Sequence, residues 1–278
     1  MKNEDFALAI IDPQNSFMDE PYAELPVPGA TADMKRLARF ILKNLKRLSK
    51  ILVTLDSHRV VDISHPTGWI NADGNPVDPK GMIPISHQDV VDGKYSWTLN
   101  PGWALQYTKM LEAGGSSRFK HYLWPEHCII GSKGHNVYQP LADAVHAWER
   151  ECGGIGGAEY LTKGSNPLTE HFGVFQAQVP IDNQPSTQPN IALLKVLHKY
   201  KWVFAAGEAR NICFSTSLEQ ILDLAPDLAP KLVILEDCMS DVPGIVTNVD
   251  EVFERARRAG VRFVKSTDNI DQLAPATV

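Results

Sequence analysis

Three residues far apart in the chain could together attack a carbonyl: Asp12, Lys163 and Cys213. A thiol supplies the nucleophile, a carboxylate can take its proton, and an ammonium keeps both carboxylate and thiolate charged. Cys213 stands in Trp202–Ser217, WVFAAGEARNICFSTS, the stretch around which the chain is organised. The apolar run Trp202–Ala206 reads as a buried strand that breaks at Gly207. The chain restarts at Cys213 as a helix with Phe214, Leu218, Ile221 and Leu222 on one face. A cysteine in a first helical turn meets unpaired N–H groups and the positive end of the dipole. Both favour thiolate, and the same N–H groups could hold an oxyanion. Taken singly, each residue has a plainer role: Asp12 caps a turn, Lys163 is a solvated cation, Cys213 packs. All three at strand ends are much harder to reach by chance.

A second set is Asp56-x-His58, with His65 and His127 further on. Residues two apart on an extended strand point to the same side. Asp56, His58 and His127 could then hold a divalent metal and leave positions open for water or substrate. His65 is a fourth ligand or an onlooker. Zinc is the expected ion, with manganese or iron as alternatives. The remaining histidines, His87, His121, His135, His146, His171 and His198, are expected to serve only local structure.

These groups need strands to carry them. Phe6–Ile11 is an apolar run ending at Asp12, Ile51–Leu55 ends in Asp56-Ser57-His58, and Glu159–Thr162 ends at Lys163-Gly164. Helical patterns cover Thr31–Ser49, with Thr31 as cap, then Gln139–Arg150 and Asn190–Tyr200. Leu232–Leu235 and Val261–Val264 read as further strands, with the helix Val249–Ala259 between them. This alternation calls for a parallel sheet covered on both faces, an α/β fold whose strand ends converge on one crevice. Pro66–Trp124 breaks the pattern: it holds four of the six tryptophans and no clear period. A stretch that long reads as a lid or insertion, and its aromatic content argues against disorder. The expected organisation is one domain over 1–278 with an insertion at about 66–124.

The chain has 278 residues, 44% of them hydrophobic, enough for a full core. Its net charge is −6 without a long basic cluster, which argues against nucleic-acid binding. No apolar stretch reaches membrane-spanning length and MKNEDFALAIID lacks a cleavage-like site, so a cytoplasmic protein without membrane partners is expected. Cys128, Cys152, Cys213 and Cys238 form no C-x-x-C, which indicates neither a disulfide framework nor a zinc ribbon.

The chain resembles the isochorismatase-like cysteine hydrolases, and among them most closely the nicotinamidases. The resemblance rests on Ala9-Ile10-Ile11-Asp12-Pro13-Gln14-Asn15-Ser16-Phe17, Thr54-Leu55-Asp56-Ser57-His58, Trp124-Pro125-Glu126-His127-Cys128, Thr162-Lys163-Gly164 and Gly207-Glu208-Ala209-Arg210-Asn211-Ile212-Cys213. It implies a three-layer α/β/α fold on a six-stranded parallel sheet, with Cys213 as nucleophile, Asp12 as proton carrier and Lys163 as electrostatic partner. It also implies a cis peptide at Glu208–Ala209, an oxyanion hole from the Ala209 and Cys213 amides, and a ring pocket lined by Phe17, Trp124 and Phe172. A homo-oligomer is implied by the resemblance alone. The metal group is what points to nicotinamidase within the superfamily. The sequence departs from the family in the length of 66–124, in Arg210-Asn211-Ile212, and in Glu170-His171-Phe172-Gly173-Val174-Phe175. These departures bear on pocket shape more than on the catalytic frame.

The expected function is hydrolysis of a small amide through a thioester, with nicotinamide as substrate and a metal orienting its ring. The alternatives are another small-amide or ureide hydrolase of the superfamily, or a non-catalytic binding protein on the same fold.

Overall fold

The computed structural model describes residues 6–78, 81–113, 120–152, 157–245 and 247–270. Residues 79–80 and 114–119 of the expected insertion, and the side chain of Cys152, lie outside the described residues. In chain order the elements are β1 (Phe6–Ile11), α1 (Ala30–Lys43), β2 (Lys50–Asp56), β3 (Trp69–Asn71), β4 (Ile83–Ile85), α2 (His87–Val91), β5 (Tyr95–Trp97), α3 (Pro101–Ala113) and β6 (His121–Leu123). There follow α4 (Gln139–Cys152), β7 (Glu159–Lys163), α5 (Ile191–His198), β8 (Trp202–Gly207), α6 (Ser215–Leu224), β9 (Leu232–Leu235), α7 (Val249–Arg258) and β10 (Arg262–Val264). Among the described residues, no helix is long and apolar enough to cross a membrane.

Six strands form one sheet in the order β10-β9-β8-β1-β2-β7, and every described pairing in it is parallel. Its central strands are apolar on both faces because helices cover both. Phe204 meets Phe40 of α1 on one face, ring centroids 5.4 Å apart, and α4 packs beside α1. On the other face Ala9, Ile11 and Ala205 border the same interior space as Leu193 of α5 and Leu218 of α6. The register sets the site: Asp56 pairs with Lys163, and Ile11, the residue before Asp12, pairs with Gly207. Asp12, Asp56, Lys163 and the turn after Gly207 therefore leave the sheet at one edge.

That register requires close approach at Gly207. Its φ is 127°, and a Cβ there would stand 2.0 Å from the Ile11 carbonyl oxygen, which accepts from Glu208 N–H at 2.8 Å. Neither backbone can retreat without breaking the ladder. Gly207→Ala is expected to cost about 3 kcal/mol of stability, read as a lowered urea midpoint. An unchanged midpoint would contradict this strand register.

Three expectations are corrected. Helix α1 does not start on a Thr31 cap: Asp19, from the preceding loop, accepts from the amides of Gly29 at 3.2 Å and Thr31 at 2.8 Å. It also stops at Lys43, short of Ser49, where the Asn44 side chain donates to Phe40 O at 2.8 Å and competes with further helix. The helix does not restart at Cys213. A π-helical turn, Arg210–Phe214, precedes α6, with Phe214 N–H donating to Ala209 O at 3.0 Å.

The stretch 66–124 is folded, although its sequence shows no period. Strands β3 and β5 pair antiparallel with Trp69 opposite Trp97, and β4 and β6 pair with Ile85 opposite His121. Each strand has only three residues, too few for alternation to register. A reciprocal cap between Ser86 and Asp89 starts α2. Trp69, Trp97, Tyr107, Leu111 and Leu123 gather into an apolar cluster of their own with Ile63 and Val179. Trp103 donates to Leu168 O at 2.8 Å, so the segment is fixed to the loop that follows β7.

Candidate active site

Asp12 leaves β1 in a left-handed conformation, φ 44°, which aspartate tolerates better than most residues. Thr54 on the neighbouring β2 fixes it twice: its hydroxyl donates to Asp12 Oδ1 at 2.6 Å and accepts from Asp12 N–H at 3.0 Å. Lys163 is buried and lies 2.8 Å from Asp12 Oδ2. It donates to Asp56 Oδ1 at 3.0 Å and to His171 O at 2.9 Å, and sits 3.6 Å from Cys213 Sγ. The structure thus brings Asp12, Lys163 and Cys213 together around one ammonium.

Burial pulls the Lys163 pKa down, but Asp12 and Asp56 outweigh it and hold the group well above its ordinary value. Burial also pushes the Cys213 thiol well up; Lys163 opposes, while Asp12 and Asp56 add to the rise. Burial thus works against the thiolate that the helix start favours. The thiol keeps its proton and presents it to Asp12, whose own pKa is raised by burial against the pull of Lys163.

The second set converges beside the first. The Nε2 atoms of His58 and His127 lie 3.0 and 3.5 Å from Asp56 Oδ2. His58, His65 and His127 bring one ring nitrogen each within 4.8 Å of one another. The opposite ring nitrogens are all occupied: Nδ1 of His58 by Asp62 at 3.1 Å, of His65 by Arg59 O at 3.0 Å, of His127 by Pro125 O at 2.8 Å. Such outer partners fix tautomer and orientation and leave Nε2 to face inward as a ligand. His65 Nε2 is buried without a hydrogen-bond partner, which is costly unless something fills the space between the rings. Burial, then His127 and His58, push the His65 pKa down to about 3, so its ring is neutral as ligation requires. Burial lowers His58 too, but Asp56 and Asp62 together hold it well above its ordinary value. A divalent cation would take the place of that proton. Three imidazoles and one carboxylate suit zinc, so the residues present fit a metal.

Between the two sets lies a cleft lined by Phe17, Asp56, Trp124, His127, Glu170, Phe172, Ala209 and Cys213, among others. Trp124 meets Phe172 edge to face, centroids 6.1 Å apart, and Phe17 packs on His127 at 5.6 Å. These aromatic walls suit a flat ring. On the thiol side the Glu208–Ala209 peptide is cis. Among the described residues the Ala209 amide donates to no protein acceptor, although its neighbours Glu208 and Arg210 both do. Ala209 O accepts from Ile212 and Phe214, not from Cys213. The Ala209 amide is thus open to an acceptor in the cleft.

Sequence reasoning missed several positioning groups. Gln14 Nε2 donates to Asp56 O and its Oε1 accepts from Asp56 N–H, both at 2.7 Å, which fixes the end of β2 to the loop after β1. Its signal was its place two residues after Asp12. Asp62, four residues after His58, orients that ring. Glu170 Oε1 lies 3.8 Å from His58 Nε2, and its amide donates to Tyr107 Oη at 3.3 Å. No local pattern marks Glu170, because the loop that carries it has no period. Of the histidines expected to serve local structure, His135 meets Ser57 Oγ at 2.8 Å and His121 packs between Trp69 and Tyr107.

Fold and site together define an α/β sandwich whose parallel strands deliver an acid, a lysine and a thiol beside a histidine cluster. No family model and no curated protein sequence matches the chain. Solved structures do match. A nicotinamidase/pyrazinamidase of Acinetobacter baumanii aligns with a TM-score of 0.59 at 17% identity, over 96% of this chain and 99% of that one. Yeast nicotinamidase aligns at 0.60 and 18%, over 93% and 99%. The pyrazinamidase of Pyrococcus horikoshii, solved in complex with zinc, aligns at 0.54 and 17%, over 94% and 99%. The chain has the fold of these nicotinamidases and pyrazinamidases, as its resemblance to the isochorismatase-like hydrolases implied.

Proposed function

We propose that the chain is an amidohydrolase that converts nicotinamide to nicotinate and ammonia through a thioester on Cys213. The observation that carries this reading is the inward-facing Nε2 cluster of His58, His65 and His127 with Asp56, set against the same cleft as Cys213. A metal held by Asp56, His58, His65 and His127, zinc by the donor set, would supply a Lewis-acid contact for the pyridine nitrogen and fix the ring's orientation. The neighbour solved with zinc supports that choice.

The chain's own residues account for the chemistry. Phe17, Trp124 and Phe172 enclose the ring and leave the carboxamide facing Cys213. Asp12 takes the thiol proton as sulfur attacks the carbonyl carbon, and Lys163 keeps both anions stable. The Ala209 and Cys213 amides hold the resulting oxyanion. Asp12 returns its proton to the amide nitrogen, the C–N bond breaks, and ammonia leaves. Asp12 then takes a proton from water, whose oxygen attacks the thioester; collapse expels the Cys213 thiolate, Asp12 returns the proton to it, and the acid product leaves as nicotinate after giving its proton to solvent.

The test compares ammonia release from nicotinamide and from benzamide, which lacks the ring nitrogen, by metal-replete protein. Nicotinamide should be hydrolysed well and benzamide poorly. His127→Ala should lower both metal content and nicotinamide hydrolysis by about 10–100-fold, with Cys213 still open to alkylation. Equal rates on the two amides, or none on nicotinamide, would overturn the substrate and leave a broader amidase.

A further inference from the structure

Behind the oxyanion turn lies a buried pair of acids that the reaction above does not use. Glu208 is fully buried, and Asp33 of α1 is 1% exposed. An acid this deep is costly unless its hydrogen bonds are used. Burial pushes the Glu208 pKa well up and the neighbouring Asp33 adds to the rise. Glu208 Oε1 has no hydrogen-bond partner among the described residues, so its hold on the chain runs through Oε2.

Its acceptor bond goes to a clamp. Ser240 N–H donates to Glu208 Oε2 at 3.0 Å, and Ser240 O accepts from Arg210 N–H at 2.8 Å. One residue therefore grips the chain on both sides of Ala209, the residue whose amide is free. Ser240 is itself tied to α1, its hydroxyl donating to Asp33 Oδ2 at 2.5 Å, while the other Asp33 oxygen pairs with Arg36. Gly29 leaves the room this needs, since a Cβ there would stand 2.6 Å from Ser240 Oγ. The same loop closes the ladder on either side: Gly207 N–H donates to Cys238 O at 3.1 Å, and the Asn211 side chain bonds Val242 O at 3.0 Å and Val242 N–H at 2.9 Å.

We propose that Glu208 is a positioning residue whose side chain, through Ser240 and Asp33, fixes the direction of the Ala209 amide toward the reacting oxygen. The catalytic consequence rests on the amidohydrolase reading above, whereas the clamp itself does not. In this role Glu208 touches no substrate. Its removal should leave the pocket and the thiol in place and loosen one oxyanion donor.

The experiment uses Glu208→Ala and Glu208→Gln in the full chain, with four readouts. Amide hydrogen exchange at Arg210, in ligand-free protein, reports the clamp. Affinity for nicotinaldehyde reports the oxyanion site, because the Cys213 thiol adds across its C=O: a C–S bond forms and the thiol proton passes to Asp12 or to the new alkoxide, with no group leaving. Affinity for nicotinate reports the pocket, and the rate of alkylation by iodoacetamide reports the thiol. In Glu208→Ala, Arg210 exchange should rise about ten-fold or more while β1 stays protected. Nicotinaldehyde should bind about 10²-fold more weakly, with nicotinate binding and alkylation within about two-fold of the original chain. Glu208→Gln keeps an acceptor for Ser240 and should rescue both exchange and aldehyde binding. Unchanged Arg210 exchange in Glu208→Ala, equal losses in all readouts, or failure of Glu208→Gln to rescue would overturn the proposal. An original chain that ignores nicotinaldehyde and nicotinamide while Arg210 exchange behaves as stated would overturn the substrate reading alone.

Discussion

Cys213→Ala is expected to lower ammonia release from nicotinamide by about 10⁴-fold or more, the scale at which nucleophile loss acts when no second group can form the covalent bond. Cys128 and Cys238 cannot substitute. Both are buried free thiols whose pKa values burial raises, and neither lines the cleft. The substitution removes one sulfur from a cluster that otherwise holds, because Lys163 keeps Asp12, Asp56 and His171 O as partners. The variant should therefore fold, retain its metal and still bind nicotinate. The checks are ammonia release, metal content and the urea midpoint on one preparation. Hydrolysis within ten-fold of the original rate would remove the thioester mechanism.

Asp12→Asn should cost about 10³-fold, within the range general acid–base groups contribute. Asparagine adopts the left-handed conformation at this position as readily as aspartate, and its amide oxygen can still accept from the Thr54 hydroxyl. What it loses is the capacity to take a proton from Cys213 and return it to departing ammonia. Since burial holds the Cys213 thiol protonated, the loss should show as slowed alkylation as well as slowed turnover. Lys163 retains Asp56, so the change should not unfold the protein. Normal alkylation with lost turnover would place the proton transfer on another group, and normal turnover would dismiss Asp12 from the chemistry.

Much of the frame was legible in the sequence because parallel strands advertise themselves. Phe6–Ile11, Trp202–Ala206 and Leu232–Leu235 are apolar on both faces, and each ends at an acid or a glycine. A strand end is a fixed exit point, so Asp12, Asp56 and Lys163 could be placed at one edge before any distance was known. The short elements of 66–124 could not, because three-residue strands carry too little alternation and draw their stability from contacts with Ile63 and Val179 outside the segment.

What the sequence determined by itself was the identity of the chemical groups and the strand ends that carry them. It also determined the alternation of elements that demands a two-faced parallel sheet. The tertiary structure alone decided how those groups act on one another. The register that sets Asp56 against Lys163 puts one ammonium within reach of two carboxylates and a thiol. The outer partners Asp62, Arg59 O and Pro125 O turn three imidazoles inward, and burial keeps the proton on Cys213. The reason is physical: local pattern records which face of an element is apolar, whereas protonation and ligand geometry depend on distance and desolvation between residues far apart in the chain.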